Sequence, residues 1–259
     1  MAGVILFSDV DGTLLDETGR YAITPDELSL YRDAIDLVLA SSRTILELSR
    51  NQRDLALSGP LVAENGAVVA LPWQDSLSTI GTRETIDARE WCVIAVGDEA
   101  ASIRDAVRDC AFQLGVSSVD QADVESTLGR RASVLLRPVP GANWDDLIPL
   151  ATSLRHQGFS VASGGSWLAV TGGADKGKGA RALLAVLALS QPSPSVVAAV
   201  GDGDNDVPLL AVASKKFVIS GTDGRYHPAL TALPDTMCVS KAGLSGWRDV
   251  LLSLLEEKR

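Results

Sequence analysis

The sequence predicts an α/β protein: a doubly wound parallel-sheet (Rossmann-like) core with an inserted α+β domain. Three observations carry this. Short apolar runs alternate with helix-period segments at both ends of the chain, as βαβ units require. The rhythm breaks off near residue 76 and resumes at 166. The stretch 76–165 has a strand and helix pattern of its own, and its edges at 72–78 and 163–166 are rich in Pro, Ser and Gly.

In the first part, the apolar run at 3–8 reads as a buried strand, followed by a helix at 25–33, a strand at 35–40, a helix at 44–57 and a strand at 61–63. Asn65-Gly66 between two apolar runs signals a hairpin turn. The middle part reads as strand 91–96, helix 99–114, polar helix 120–128, strand 132–137, helix 144–156 and strand 159–162. The last part gives strand 167–171, helix 178–189, strand 196–200, a short helix 208–212, strand 216–219 and a final helix 246–257. Residues 1–75 and 166–259 are therefore expected to form the core, and 76–165 the insert.

The chain has 259 residues, 46% hydrophobic and 22% charged, the composition of an ordinary globular protein. A formal net charge of -10 argues against non-specific nucleic-acid binding and against anionic membranes. It leaves room for a small phosphorylated ligand if a divalent cation supplies positive charge locally. Cys92, Cys110 and Cys238 are odd in number and never form C-x-x-C, so neither a disulfide framework nor a zinc cluster is expected. Asp9 and Asp11 interrupt the first apolar run too early for a signal peptide. No apolar stretch reaches the roughly 20 residues of a membrane span. A soluble, cytoplasmic protein is expected.

The chemistry starts at FSDVDGTLL, residues 7–15. Side chains two apart in an extended segment point the same way, so Asp9 and Asp11 can face one point beyond the strand end. Two carboxylates so close repel unless a cation relieves them, and magnesium prefers such hard oxygen ligands. A calcium loop is excluded, because the sixth residue from Asp9 is Leu14 rather than Gly. GDGDND, residues 201–206, supplies Asp202, Asp204 and Asp206 after a second apolar run, and there the sixth and twelfth positions are Val207 and Ala213. Two acidic loops after two buried strands make one metal site. GGADKGKG, residues 172–179, nearly matches a nucleotide-binding phosphate loop, but Gly179 stands where the metal-binding hydroxyl belongs. A helix start bearing Lys176 and Lys178, either able to neutralise a phosphate, is the better description.

D-x-D-G-T on the first strand, Ser41 or Ser42 in ASSRT, the lysine of DKGKG and the acidic GDGDND resemble, in that order, the motifs of the haloacid dehalogenase-like phosphatases. The insert's position resembles the group of that superfamily with a large α/β cap. Within it, ASSRT, LVAENGAVVALP and GADKGKG are similar to the mannosyl-3-phosphoglycerate phosphatases, whereas RRASVLL after Gly129 departs from their pattern.

The resemblance implies a Mg2+-dependent phosphomonoesterase acting on a phosphorylated sugar or sugar acid, with mannosyl- or glucosyl-3-phosphoglycerate preferred. Other sugar phosphates, a phosphotransferase or mutase, and a non-enzymatic sensor are the alternatives. It implies Asp9 as nucleophile and Asp11 as general acid and base, with the Asp11 backbone carbonyl toward the metal. Ser41, or Ser42 in its place, binds phosphate, and Lys176 balances its charge. Asp202 completes the metal ligands, with Asn205 and Asp206 placing waters. Glu64 and Asn65, at the turn bordering the site, are implied to touch substrate. Among weaker candidates, Arg43 and Arg131 can hold a carboxylate in their planar forks. The backbone at Ser163, Gly164 and Gly165 can approach a ligand closely. Trp144 and Trp247 read as packing residues, and His156 and His227 as helix-end and loop residues.

Overall fold

The computed structural model describes residues 3–116, 119–121, 129–164, 167–190, 192–221 and 223–256. Its elements run β1 (Val4–Ser8), α1 (Pro25–Ser29), β2 (Ile35–Ala40), α2 (Ile45–Asp54), β3 (Leu61–Ala63), β4 (Val68–Pro72), β5 (Thr82–Ile86), β6 (Arg89–Ala95) and α3 (Ala100–Leu114). There follow β7 (Val119–Gln121), β8 (Ser133–Pro138), α4 (Ile148–His156), β9 (Phe159–Gly164), β10 (Trp167–Gly172) and α5 (Lys176–Leu187). The chain closes with β11 (Val196–Gly201), α6 (Val207–Leu210), β12 (Lys215–Val218), α7 (Pro228–Thr231), β13 (Thr236–Cys238) and α8 (Gly243–Glu256).

A nine-stranded sheet has the order β13-β12-β11-β1-β2-β3-β4-β6-β5, parallel from β13 to β3 and antiparallel beyond. Strand β1 lies at its centre with all five residues buried. The alternation of a strand explains why every residue is apolar or capped. Val4 and Leu6 join the layer that holds Leu48 of α2 and Trp247 of α8, while Ile5 and Phe7 join the layer that holds Leu183 of α5 and Leu209 of α6. Two covered faces leave the carboxyl ends of β1, β2 and β11 as the open edge of the core.

A second, antiparallel sheet has the order β7-β8-β10-β9. On one face Val134, Leu136, Val161 and Val170 pack with Ile103 and Val107 of α3 and Leu150 and Leu154 of α4. The period of two turns the intervening Leu135, Ala162 and Ala169 to the other face, where they roof a cavity over the core. The architecture is thus the predicted Rossmann-like core with an α+β cap.

Several details differ from the expectation. Residues 91–96 were expected in the insert, but β6 belongs to the large sheet together with β5. The sequence TRETI of β5 is polar because it is a solvent-facing edge strand. It is joined to β6 by Asp87 and Ala88, both with positive φ, a turn that lacks the usual glycine. Conversely β10, expected in the core, pairs with β9 and β8 of the small sheet. The chain crosses between the sheets where Asp98 N donates to Gly172 O at 3.0 Å. On these pairings we propose that the cap extends from about Gly97 to Gly172. The helix expected at 144–156 opens as a 3-10 turn, Trp144–Leu147, before α4. The first two residues of the expected polar helix, 120 and 121, belong to edge strand β7, and 122–128 lie outside the described residues. Among the described residues no helix is long and apolar enough to cross a membrane.

Candidate active site

Asp9 follows β1 directly. Its N–H donates to Val200 O at 3.0 Å, extending the parallel ladder by one residue. Beneath it the fully buried Trp247 donates Nε1–H to Ser8 Oγ at 2.8 Å, and Ser8 Oγ–H donates to Asp9 O at 2.7 Å. Helix α8 therefore fixes the backbone of the first acidic residue. The chain then folds back sharply, with Thr13, Leu14 and Leu15 N–H groups all directed at Val10 O and Gly12 at φ +82°. A Cβ on Gly12 would lie 2.5 Å from Asp202 Oδ2, so the turn requires glycine in order to meet the second acidic loop.

Lys176 reaches the same point from the opposite side. Its approach depends on the E-N-G hairpin, where Glu64, Asn65 and Gly66 all have positive φ. A Cβ on Gly66 would lie 1.9 Å from Asp175 O, and one on Gly179 2.6 Å from Gly66 Cα. Gly179 thus serves close packing of α5 on the hairpin, and Gly177, whose Cβ would lie 2.3 Å from Pro208 O, close packing of α5 on α6. Lys176 Nζ, fully buried, donates to Asp9 Oδ1 at 2.5 Å and to Asp206 Oδ1 at 2.6 Å.

Asp9, Asp202 and Asp206 each bring a carboxylate oxygen within 4.8 Å of the others. Their remaining partners distinguish their roles. Asp206 is the most engaged: Oδ1 takes Lys176, and Oδ2 accepts Asp202 N–H and Gly203 N–H, each at 3.1 Å. Asp202 Oδ1 accepts Thr13 Oγ1–H at 2.8 Å. Asp9 and Asp202 keep free lone pairs, the donor set a hard cation takes. The electrostatics agree. Burial, reinforced by Asp206 and Asp202, pushes the Asp9 carboxyl well up against the pull of Lys176. Burial and Asp206 likewise raise Asp202. Burial opposes the charge on Lys176, but Asp206 and Asp9 together outweigh it and hold the ammonium above its usual range. Three crowded carboxylates and one ammonium leave negative charge unbalanced, and a divalent cation fits that deficit.

The expectation that Asp9 and Asp11 share one cation through their carboxylates is corrected here. The Asp11 side chain turns away to a bidentate pair with Arg43, Nε to Oδ2 at 2.9 Å and Nη2 to Oδ1 at 2.5 Å. The repulsion is relieved by two different cations, Lys176 for Asp9 and Arg43 for Asp11. Both aspartates nevertheless line one cavity of about 600 Å³, with Ser42, Asn65, Arg130, Asp202 and Asn205 and with the cap residues Leu135 and Ala169 above.

A protein of Methanococcoides burtonii described as glucosyl-3-phosphoglycerate/mannosyl-3-phosphoglycerate phosphatase is 27% identical over 97% of this chain and 97% of its own. Residues 6–90 match the family of haloacid dehalogenase-like hydrolases. A mannosyl-3-phosphoglycerate phosphatase of Pyrococcus furiosus is 26% identical over 90% of this chain and 98% of its own. The fold of this chain is also that of the sucrose-phosphatase of Synechocystis, solved with sucrose and phosphate, at TM-score 0.66, 16% identity and 98% coverage of both chains.

The other residues singled out in the sequence fall in different places. Ser41 is buried at the end of β2, its Oγ accepting Arg43 N–H at 3.3 Å, while Ser42 stands on the cavity wall. Asn65 lines the cavity and accepts Asn205 Nδ2–H at 3.3 Å. Glu64 faces the cap chain instead: its fully buried carboxylate accepts Arg131 N–H, Ala132 N–H and Ser133 Oγ–H. It docks the cap on the core and is not on the cavity wall. Arg131 is directed to Glu84 at 2.6 Å, on β5. Ser163 lines the cavity, Gly164 ends β9 opposite Trp167, and Gly165 lies outside the described residues. Lys178 Nζ caps Gly173 O on the exterior. Trp247 packs as expected. Trp144 does not: it opens the 3-10 turn before α4 and is 45% exposed. Sequence reasoning missed Thr13, which holds Asp202, and Arg130, whose side chain lies on the cavity wall. The T of D-x-D-G-T was a signal for the first. Nothing in GRRAS tells which arginine faces inward.

Proposed function

We propose that this chain is a Mg2+-dependent phosphomonoesterase acting on a phosphorylated sugar or sugar acid, with mannosyl- or glucosyl-3-phosphoglycerate as the preferred class. Its relatives are phosphatases by description, and the two curated ones act on such esters. The single observation that carries the reading is the meeting of Asp9, Asp202 and Lys176 at the floor of one roofed cavity.

In this reading Asp9 attacks phosphorus in line. An Asp9 Oδ–P bond forms, the ester P–O bond breaks, and Asp11 gives its proton to the departing alcohol oxygen of the ester. Asp11 then takes a proton from the water that attacks phosphorus, the Asp9 Oδ–P bond breaks, and inorganic phosphate leaves. Such proton transfer contributes about 10²–10⁴-fold. Asp11 stands half-exposed on the cavity wall, and its carboxyl must leave the bidentate pair with Arg43 to carry that proton. Asp9 and Asp202 would hold Mg2+, with the Asp11 carbonyl and Asn205 adjacent, and Asp206 keeps Lys176 and the loop in place. The bound cation supplies charge neutralisation at the phosphoryl oxygens. Lys176 adds a second, fixed positive charge, and Ser41 or Ser42 adds a hydroxyl donor.

The test is phosphate release from a panel of sugar phosphates with glucosyl- and mannosyl-3-phosphoglycerate included. Turnover with magnesium, its loss on chelation and its return on adding magnesium back are expected. Release that is indifferent to chelation, or absent from every ester, contradicts the reading.

A further inference from the structure

Resting on that reading, we propose that Arg130 is the receptor for a second anionic group of the substrate, a carboxylate carried by the same molecule as the phosphate. The cations around the cavity differ in what they have left to give. Lys176 is committed to two carboxylates, and Arg43 spends its Nε and Nη2 on Asp11. Arg130 differs. Its Nη1 donates to Ser42 O at 3.0 Å and Ser133 Oγ at 2.8 Å, which fixes the guanidinium plane between the phosphate-side loop and the cap. Its Nε is buried with no partner, and among the described residues no carboxylate pairs with it. Glu47 and Glu64 are near, but Glu47 holds Thr44 N–H and Glu64 holds the Arg131 and Ala132 amides.

With Nη1 anchored and Nε closed off from solvent, Nη2 is the nitrogen left to donate to an oxygen that arrives in the cavity. A guanidinium charge on the cavity wall, in no ion pair among the described residues, favours a carboxylate as that partner. The phosphoryl group goes to Asp9 at the floor, whereas Arg130 stands on the cavity wall where core meets cap. An ester with phosphate and carboxylate on neighbouring carbons can engage both; one whose second group is a neutral hydroxymethyl leaves the Arg130 charge unpaired. Arg130 is thereby a specificity residue that selects sugar-acid over sugar phosphates.

The experiment compares glucosyl-3-phosphoglycerate with the same molecule carrying hydroxymethyl in place of the carboxylate, in wild type, Arg130→Met and Arg130→Lys. The wild type should favour the carboxylate ester, and Arg130→Met should lower the ratio of the two kcat/KM values about 10- to 100-fold. Arg130→Lys should recover part of the ratio, since it keeps the charge and loses the planar guanidinium. Reading a ratio cancels any loss of folded enzyme. A ratio unchanged in Arg130→Met, with both esters falling together, overturns the assignment and leaves Arg130 a cap or phosphate residue. A wild type that releases phosphate from neither ester overturns the phosphatase reading itself.

Discussion

Asp9→Asn is expected to lower turnover by at least about 10⁴-fold while leaving the thermal midpoint within a few degrees of wild type. The amide cannot form the acyl phosphate, so the loss is of the reacting atom and not of affinity. The fold survives because the Asn oxygen still accepts from Lys176, and because the change removes one of three carboxylates that repel each other at the site. Substrate should still bind. Steady-state phosphate release and a melting curve on the same preparation check both halves, and turnover near the wild-type rate would place the nucleophile elsewhere.

Lys176→Met is expected to affect both stability and chemistry. Methionine fills the slot but removes the partner of two buried carboxylates, and breaking a buried pair from one side costs about 3–5 kcal/mol. For a chain of this size that lowers the midpoint by about 10 °C. Turnover should fall about 10²- to 10³-fold, the usual effect of deleting one fixed donor to a reacting group. Added magnesium should restore part of the midpoint, because a cation between Asp9 and Asp202 relieves the same repulsion. Lys176→Arg should not rescue, since a side chain with no exposure leaves no room for the longer, planar head. A midpoint unchanged in Lys176→Met would mean that the ion pairs contribute nothing net.

The floor of the site could be read before any coordinates because it is local. Asp9 and Asp202 each follow an unbroken apolar run, and such runs end at the ligand-binding edge of a parallel sheet. The roof could not. Whether Arg130 or Arg131 faces the cavity depends on how the chain enters β8, and β8 takes its orientation from pairing with β10. The sheet membership of β10 and β6 was hidden for the same reason: a period of two says which faces a strand has, not which neighbour it takes. Asp11 shows a subtler limit. Its spacing from Asp9 is that of one strand face, but the turn through Gly12 and the reach of Arg43 redirect the carboxylate. Glu64 was placed near substrate by its motif, and only the three-dimensional path shows that all its acceptor capacity goes to the cap.

The account rests on a cation shared by Asp9 and Asp202, and manganese, which scatters anomalously and mimics magnesium, locates it directly. A crystal grown with Mn2+ should show one anomalous peak about 2 Å from a carboxylate oxygen of each residue, with Asp206 and Lys176 still paired behind it. A saturated crystal with no peak there, or with the ion bound away from Asp9, would contradict the account.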